Sequence, residues 1–249
     1  SAIMRIFWLG QVPYSTALAL QADLALARRA GAVFDMLLLL THPPTITMGR
    51  AAADEHVLSS PDDLVRNGVT LHRVNRGGDV TYHDPGQLIG YPILDLALRG
   101  SDIHAYLRLL EQVIIDALTV WGISASRKPP HTGVWVHDRK IAAMGIAVRR
   151  WITTHGFAVN VSADLTGFQL IVPCGIREYG VTSISAETSL NLTPEAAIAP
   201  IARAFLHHFP SYAAAPASPN PLSPTTRKIL SEALDLTESI VLDSQALGR

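Results

Sequence analysis

The chain has 249 residues, of which 48% are hydrophobic and 16% are charged, and its formal net charge is -1. This balance predicts a folded protein with a sizeable core and disfavours binding of nucleic acid through a broad basic face. No apolar run approaches the ~20 residues of a membrane helix, so no membrane partner is expected. The single cysteine, Cys174, excludes an internal disulfide and favours a reducing compartment.

The N-terminal part alternates between strand and helix patterns. Strands are predicted over 3–9, 36–40, 45–48 and 69–74, and helices over 15–29 and from Ser60 to Gly68. Ser15 is the predicted N-cap of the first helix, because a serine side chain can accept a hydrogen bond from the first turn. The continuous apolar run over 36–40 indicates a strand that is covered on both faces.

The stretch 76–91 combines four glycines with polar and ring-bearing side chains. Gly77 and Gly78 allow backbone to pass very close to another group, because neither has a Cβ atom. Strands are predicted at 80–82 and 88–94, with a turn at Pro85-Gly86 between them. A tight loop between two strands can form one wall of a ligand site, and a plain glycine-rich hairpin fits the same spacing.

The C-terminal part contains the clearest helix, which runs from a predicted N-cap at Ser101 to Gly122. Strands at 133–136, 140–148 and 152–161 follow as an antiparallel meander, and Thr193 caps a last core helix that ends near His208. Residues 211–224 have the composition of a linker, and 225–247 predict one amphipathic helix. The predicted fold class is α+β, with a domain over 1–210 and a tail over 211–249.

Cys174 and Lys140 are the candidates for chemistry. Pro173 and Gly175 flank the cysteine, which predicts that the thiol lies on a turn, although a lone cysteine is more often a small buried hydrophobe. The thiolate is the nucleophile, so a neighbouring cation or base would activate it. Lys140 starts an apolar strand and could supply that cation, or it could simply face solvent. Pairing of the thiol with a histidine at 42, 83 or 155 is also open.

Other site classes lack their motifs. No two histidines have a close spacing such as His-x-x-x-His, so no metal site is predicted. The sequence contains no Walker-type phosphate loop and no Gly-x-Ser-x-Gly motif. Nucleotide hydrolysis and α/β-hydrolase chemistry are therefore disfavoured.

Six segments together resemble the lipoyl(octanoyl) transferases. They are 76–83 with 85–87, 132–136, 139–145, 155–160, 171–175 and 180–183, and they occur in that family's order and spacing. The resemblance covers about residues 5–208 and leaves the tail without a role. It implies the fold of the biotin and lipoate protein ligases, a mixed sheet flanked by helices, and it implies no cofactor.

The resemblance also implies a reaction. An octanoyl group would pass from octanoyl-acyl carrier protein to a lysine of a lipoyl domain of the 2-oxoacid dehydrogenases, or of the glycine cleavage H protein. Cys174 would carry the acyl group as a thioester, and Lys140 would tune the thiol. The expected location is a bacterial cytoplasm rather than a mitochondrial matrix.

The resemblance further implies which residues line the acyl group. They are Arg76, Gly77, Gly78, Asp79, Val80, Thr81, Tyr82, His83, Ala143, Met144, Gly145, Gly156, Phe157 and Ala158. Two residues depart from the family pattern. Asp84 stands where many relatives carry glycine, and its tolerance of left-handed backbone would preserve the turn. Met144 replaces a branched aliphatic residue, and its flexibility would soften chain-length preference.

Three alternatives remain. An ATP-dependent ligase on the same fold would not need Cys174, and a papain-like hydrolase would need a different cysteine context. A non-catalytic protein that binds acyl carriers or lipoyl domains would need neither Cys174 nor Lys140. The presence of both residues in family-like segments favours the transferase.

Overall fold

The computed structural model describes residues 4–172, 179–211 and 222–241. Twelve strands within these ranges form two sheets, and the sheets position the helices and loops. The strands are β1 Arg5–Gln11, β2 Met36–Thr41, β3 Thr45–Met48, β4 Thr70–Arg73, β5 Val80–His83, β6 Gln87–Ile93, β7 Ser126–Lys128, β8 His131–Val136, β9 Arg139–Arg149, β10 Ile152–Asn160, β11 Gly180–Val181 and β12 Leu234–Asp235. The main sheet has the order β12-β1-β2-β6-β10-β9-β8-β7, with β11 parallel to β9. The small sheet has the order β4-β3-β5.

Pairing within the main sheet is mixed. Strands β1 and β2 are parallel, whereas β2–β6, β6–β10, β10–β9 and β9–β8 are antiparallel. The antiparallel meander predicted for β8, β9 and β10 is therefore confirmed. Strand β2 lies inside the sheet and every one of its residues is buried, as its continuous apolar run predicts.

Helices cover both faces of the main sheet. They are α1 Tyr14–Arg29, α2 Pro61–Arg66, α3 Ile103–Leu118, α4 Ile184–Thr188, α5 Ile198–His208 and α6 Pro224–Glu232. One core cluster joins α3 and α5 to the sheet, and a second joins α1 to the alternate residues of β2 and β6. This arrangement confirms the predicted α+β class. Among the described residues, no helix combines the length and apolarity needed to cross a bilayer.

Two predicted N-caps are wrong by one or two residues. Helix α1 starts at Tyr14 after Pro13, which makes no side-chain cap, so Ser15 lies inside the helix. Helix α3 is capped by Asp102, whose carboxylate accepts a hydrogen bond from the backbone N–H of Ala105 at 2.9 Å. Ser101 instead takes a left-handed backbone, with φ of 51°. Aspartate and serine cap almost equally well, so composition alone did not choose between neighbours.

The C-terminal prediction of one helix over 225–247 is also wrong. Helix α6 ends at Glu232, and Leu234 and Asp235 form β12 against Trp8 and Phe7 of β1. The apolar spacing that predicted a helix arises because Ile229 and Leu230 pack on the α1 face of the sheet. Leu234 and Asp235 thus add one short strand to the edge of the main sheet.

Candidate active site

A cavity of about 340 Å³ lies between the main sheet and the small sheet. This volume falls within the range of about 300–1,000 Å³ that is typical of small-molecule sites. Strands β6, β10 and β9 form one side, and β5 with the glycine loop before it forms the other. Of the residues predicted to line an acyl group or to act in catalysis, the following line this cavity: Arg76, Gly78, Asp79, Thr81, His83, Lys140, Ala143, Met144, Gly145, Gly156, Phe157 and Ala158.

Three predicted lining residues do not line it. Val80 and Tyr82 alternate with Thr81 and His83 along β5, so they point into the core of the small sheet. Gly77 turns its backbone toward β9, where its N–H donates to the carbonyl of Ile146 at 2.8 Å. The contiguous motif 76–83 therefore has side chains on both faces of β5, and only one of these faces lines the cavity.

The side chain of Arg76 holds the glycine loop by hydrogen bonds. Its buried guanidinium donates to the carbonyl and the hydroxyl of Thr47 at 3.0 and 2.8 Å, and to the carbonyls of Gly77 and Asp79 at 2.9 and 3.1 Å. Gly49, which the sequence did not single out, makes this close approach possible. A Cβ atom on Gly49 would lie 2.4 Å from the carbonyl oxygen of Gly78.

Asp84 also supports this region, though not as expected. Its backbone is not left-handed, and its side chain provides the support instead. The carboxylate accepts hydrogen bonds from the N–H groups of Gly86 at 2.7 Å and Asp164 at 2.8 Å. Burial raises the pKa of this carboxyl group. An aspartate can thus replace a flexible glycine by bonding to the backbone of its own turn.

One end of the cavity is lined by Lys140 and Thr132, with the Trp135 ring packed against the lysine, and is called the lysine end here. Lys140 is only 6% exposed, and its Nζ lies 5.0 Å from the centroid of the Trp135 ring. Gly133 leaves room for the lysine stem, since a Cβ atom there would lie 2.8 Å from the Ala142 carbonyl oxygen and 3.4 Å from Lys140 Cε. The Gly133 N–H donates to buried Glu111 at 2.9 Å, which fixes the strand beside the lysine.

Cys174 lies outside the described residues, as do its neighbours at 173 and 175–178. The described residues on either side of that segment contact other parts of the fold. Val172 donates its N–H to the carbonyl of His56 at 2.8 Å, and the ring of Tyr179 meets that of Trp135 at 5.3 Å. Val181 then pairs with Lys140 in parallel register.

The opposite end, formed by His83, His155 and Tyr91 with His42 behind them, is called the histidine end. His42 donates from Nδ1 to the Val12 carbonyl at 2.7 Å, so its Nε2 accepts from the hydroxyl of Tyr91 at 2.7 Å. His83 donates from Nδ1 to Gln87 Oε1 at 2.9 Å. Neighbouring rings of this end lie about 5.7–6.3 Å apart, as for His42–His83 and Tyr91–His155.

Burial keeps the histidine end uncharged. Loss of hydration lowers the pKa of His42 to about 4, that of His83 to about 3 and that of His155 to about 4. For His155, the nearby positive charge of Arg76 is the second cause. Burial also raises the pKa of Tyr91 well above its usual value. Within the described ranges, no three side chains of the His, Cys, Asp and Glu types are placed to hold a metal ion.

Tyr14 and His131 line the cavity but were missed at the sequence level. Tyr14 begins α1, far from the family-like segments, and its ring lies 5.0 Å from that of His42. His131 immediately precedes the segment 132–136, so adjacency to that motif was the only signal available. Tyr91 was the last residue of the glycine-rich stretch and was not assigned to the site.

A family model described as the lipoyl protein ligase A/B catalytic domain matches residues 13–206. The chain belongs to this family. It is 51% identical over 201 residues to an octanoyltransferase of Solibacter usitatus (strain Ellin6076), covering 81% of this chain and 89% of that protein. An octanoyltransferase of Geobacter metallireducens is 46% identical over 183 residues, covering 74% and 83%. The sequence-based recognition of the lipoyl(octanoyl) transferases is confirmed.

Solved structures of related ligases share the fold of this family member. A lipoate-protein ligase A bound with ATP matches with a TM-score of 0.68 at 18% identity, over 95% of this chain and 94% of that one. A biotin protein ligase from Aquifex aeolicus matches with a TM-score of 0.51 at 13% identity, over 82% and 69%. These likenesses confirm the predicted biotin and lipoate ligase fold.

Proposed function

We propose that this chain transfers an octanoyl group from octanoyl-acyl carrier protein to a lysine of a lipoate-dependent domain. One observation carries the proposal. The loop with Arg76 and Gly78 lines the same cavity as the paired strands β9 and β10, which carry Lys140, although the loop lies well before these strands in sequence. The relatives named octanoyltransferase support octanoyl transfer as the reaction that takes place in this cavity. The proposed acceptors are lipoyl domains of 2-oxoacid dehydrogenases and the glycine cleavage H protein.

The proposed mechanism has two steps. In the first, the Cys174 thiolate attacks the carbonyl of the donor thioester, and the carrier leaves as a thiol after taking up the proton that Cys174 lost. In the second, the acceptor lysine attacks the acyl-enzyme as a neutral amine, an amide forms, and the Cys174 sulfur leaves. The attacking amine must give up a proton, and Lys140 is the proposed carrier of that proton. The buried position of Lys140 and its alignment with β11 support this role.

The proposed binding mode follows from the lining. Small residues such as Gly145 and Ala143 leave room beside β9, and Met144, Phe157 and Ala158 add apolar surface. Each buried methylene contributes about 0.8 kcal/mol, so an eight-carbon chain gains most of its affinity from such a slot. Backbone N–H groups of the glycine-lined walls are the proposed donors to the tetrahedral oxyanion.

A mass measurement tests the thioester. The chain is incubated with octanoyl-carrier protein and no ATP, and its mass is expected to rise by one octanoyl group that hydroxylamine removes. Cys174→Ser is expected to lose the hydroxylamine-labile adduct. A wild-type chain that stays unmodified, or that needs ATP before it becomes acylated, would contradict the proposal and favour a ligase.

The proposed setting is the reducing cytoplasm of a bacterium, which the single cysteine supports. Residues 1–210 remain the proposed catalytic domain, and 211–249 the proposed tail.

A further inference from the structure

A second concavity of about 570 Å³ lies outside the cavity, between α1 and the hairpin of β9 and β10. It is called the arginine groove here, because Arg29, Arg50, Arg73, Arg149 and Arg150 line it. Its described lining contains no aspartate or glutamate. The whole chain carries a net charge of only -1, so this concentration of one sign is local.

Most of this charge is not neutralised by the protein itself. Arg73 pairs with Asp54 at 2.5 Å, and Arg50 donates to the Asn75 side-chain oxygen at 3.1 Å. Arg29, Arg149 and Arg150 have no acidic partner among the described residues. All five side chains belong to exposed residues. A concave surface lined by one sign of charge focuses its field and attracts the opposite sign.

The groove also has an apolar side. Leu18, Ala22, Ala25 and Leu26 of α1 line it, and Leu26 is 67% exposed. An exposed leucine beside arginines suits a partner that brings both acidic and apolar side chains. Arginine is itself frequent at the centres of protein interfaces.

The arginine groove adjoins the cavity at His155, which lines both. Arg50 lines the groove, and the next residue, Ala51, lines the cavity. A molecule bound in the groove would therefore lie directly beside the proposed acyl site. The groove meets the cavity at the histidine end, away from Lys140.

We propose that the arginine groove docks an acidic surface of the acyl-carrier donor. This inference rests on the proposed function, since it names the surface that receives the donor. Charge complementarity favours the donor over the acceptor. The acceptor must deliver a lysine, and the arginines of the groove that have no acidic partner would repel its ammonium, whereas they would attract an acidic carrier surface. Donor and acceptor then approach the cavity from different sides.

The test compares two donors in the first half of the reaction. One is octanoyl-carrier protein, and the other is a small uncharged octanoyl thioester that has no surface to dock. The measured quantity is the ratio of their second-order rate constants for acylation of the chain. Arg29→Glu with Arg149→Glu is expected to lower this ratio about tenfold to hundredfold, because electrostatic steering raises association rates by that order. Added salt is expected to lower the wild-type ratio in the same direction.

Controls separate docking from folding and from chemistry. Arg66→Glu with Lys228→Glu makes the same change of net charge at exposed positions outside the groove, and it should keep the wild-type ratio. Arg29→Gln with Arg149→Gln removes charge without reversing it and should give an intermediate ratio. Thermal unfolding of each variant checks the fold.

The outcomes are distinct. If the wild-type chain accepts neither donor, the proposed function fails. If it accepts both and the groove variants keep the wild-type ratio, the docking proposal fails alone. A variant that is acylated normally but transfers slowly to a lipoyl domain would assign the groove to the acceptor and overturn the proposal. Equal loss with both donors would likewise overturn it, because the groove would then act on chemistry.

Discussion

The lysine end and the histidine end of the cavity are both buried, but their side chains have different neighbours. Lys140 lies against the face of Trp135, a ring whose π-system attracts cations. The histidines at 42, 83 and 155 lie among other rings, and their pKa values fall to about 4, 3 and 4. At neutral pH the histidine end is therefore an uncharged wall.

This difference assigns tasks to the two ends. A histidine with a pKa near 3 is a weak base and carries no proton to donate as an imidazolium at pH 7. The histidine end therefore suits an uncharged acyl chain or thioester. Proton transfer belongs, in our proposal, to the lysine end, although His83 and His155 had both been open candidates at the sequence level. The predictions below would break or sharpen this assignment.

The largest effect is expected at the lysine end. Lys140→Ala should slow octanoyl transfer on the order of 10²–10⁴-fold, because it removes the proposed proton carrier, while the fold is kept. Single-turnover transfer from octanoyl-carrier protein to a lipoyl domain measures it. Lys128→Ala is the matched control, since Lys128 also approaches the Trp135 ring, at 5.8 Å, but pairs with Asp138 at the surface. A Lys140→Ala rate equal to wild type would reduce Lys140 to a structural residue.

The second-largest effect is expected at Gly49, which packs against the loop that carries Arg76 and Gly78. Gly49→Ala would drive a Cβ atom into the Gly78 carbonyl, and overpacking of this kind costs about 1–3 kcal/mol of unfolding free energy. Gly77→Ala is the control, because its Cβ would meet nothing closer than the Ile146 carbonyl oxygen at 3.5 Å. Urea unfolding compares the two. Equal stabilities would show that the Arg76 loop is not held as tightly as its hydrogen bonds indicate.

The histidine end should make stability fall on acidification. Its histidines bind protons more weakly when folded than when unfolded, so the unfolded state gains protons first as the pH falls below about 6.5. The free energy of unfolding should then decrease by up to about 1.4 kcal/mol per pH unit for each histidine, down to a pH near the folded pKa. Above about pH 7 these groups make no pH-dependent contribution.

Urea unfolding at several pH values measures that slope. His83→Gln should reduce it, since one buried site is removed, whereas His207→Gln at an exposed position of α5 should leave it nearly unchanged. A wild-type stability that is flat between neutral and mildly acidic pH would mean that the histidine end is already open to water.

The smallest effect is expected from Tyr91→Phe. This change removes the hydroxyl that donates to His42 Nε2 at 2.7 Å, and it should lower stability by about 1 kcal/mol. Octanoyl transfer should stay close to wild type, because Tyr91 belongs to the uncharged wall. A severe loss of transfer rate with normal stability would move chemistry to the histidine end.

The sequence predicted the regular elements better than the site. The apolar run of β2 and the paired strands of the meander follow from local patterns, and both were correct. Within the site, side chains alternate between the two faces of β5, so only some residues of 76–83 line the cavity. The sequence motif alone does not show that Val80 and Tyr82 point away from the cavity into the core of the small sheet. Tyr14 and Gly49 matter only through contacts across the fold, and no local pattern marks them.

The prediction of one helix over 225–247 was wrong for the same reason, because a contact distant in sequence decided the structure. Its helical spacing predicted one long helix, but the free edge of β1 offers unsatisfied backbone groups that compete for the chain after Glu232. Pairing with that edge outweighs the weak preference of a short, exposed helix, because most helix stability comes from packing. The competitor lies more than 200 residues away in sequence, as the bond from the Ile6 N–H to Thr237 Oγ1 illustrates.

That short pairing has a consequence for how the protein behaves in concentrated solution. An exposed edge strand is a template on which another copy of the chain can add a strand, which is one route to aggregation. Strand β12 occupies the edge of β1 at Phe7 and Trp8, and the Leu236 N–H continues the cover by donating to the Ile6 carbonyl at 2.9 Å. A strand of only two residues is thus the outer edge on this side of the main sheet, and so short an edge is a poor template for a strand of another chain.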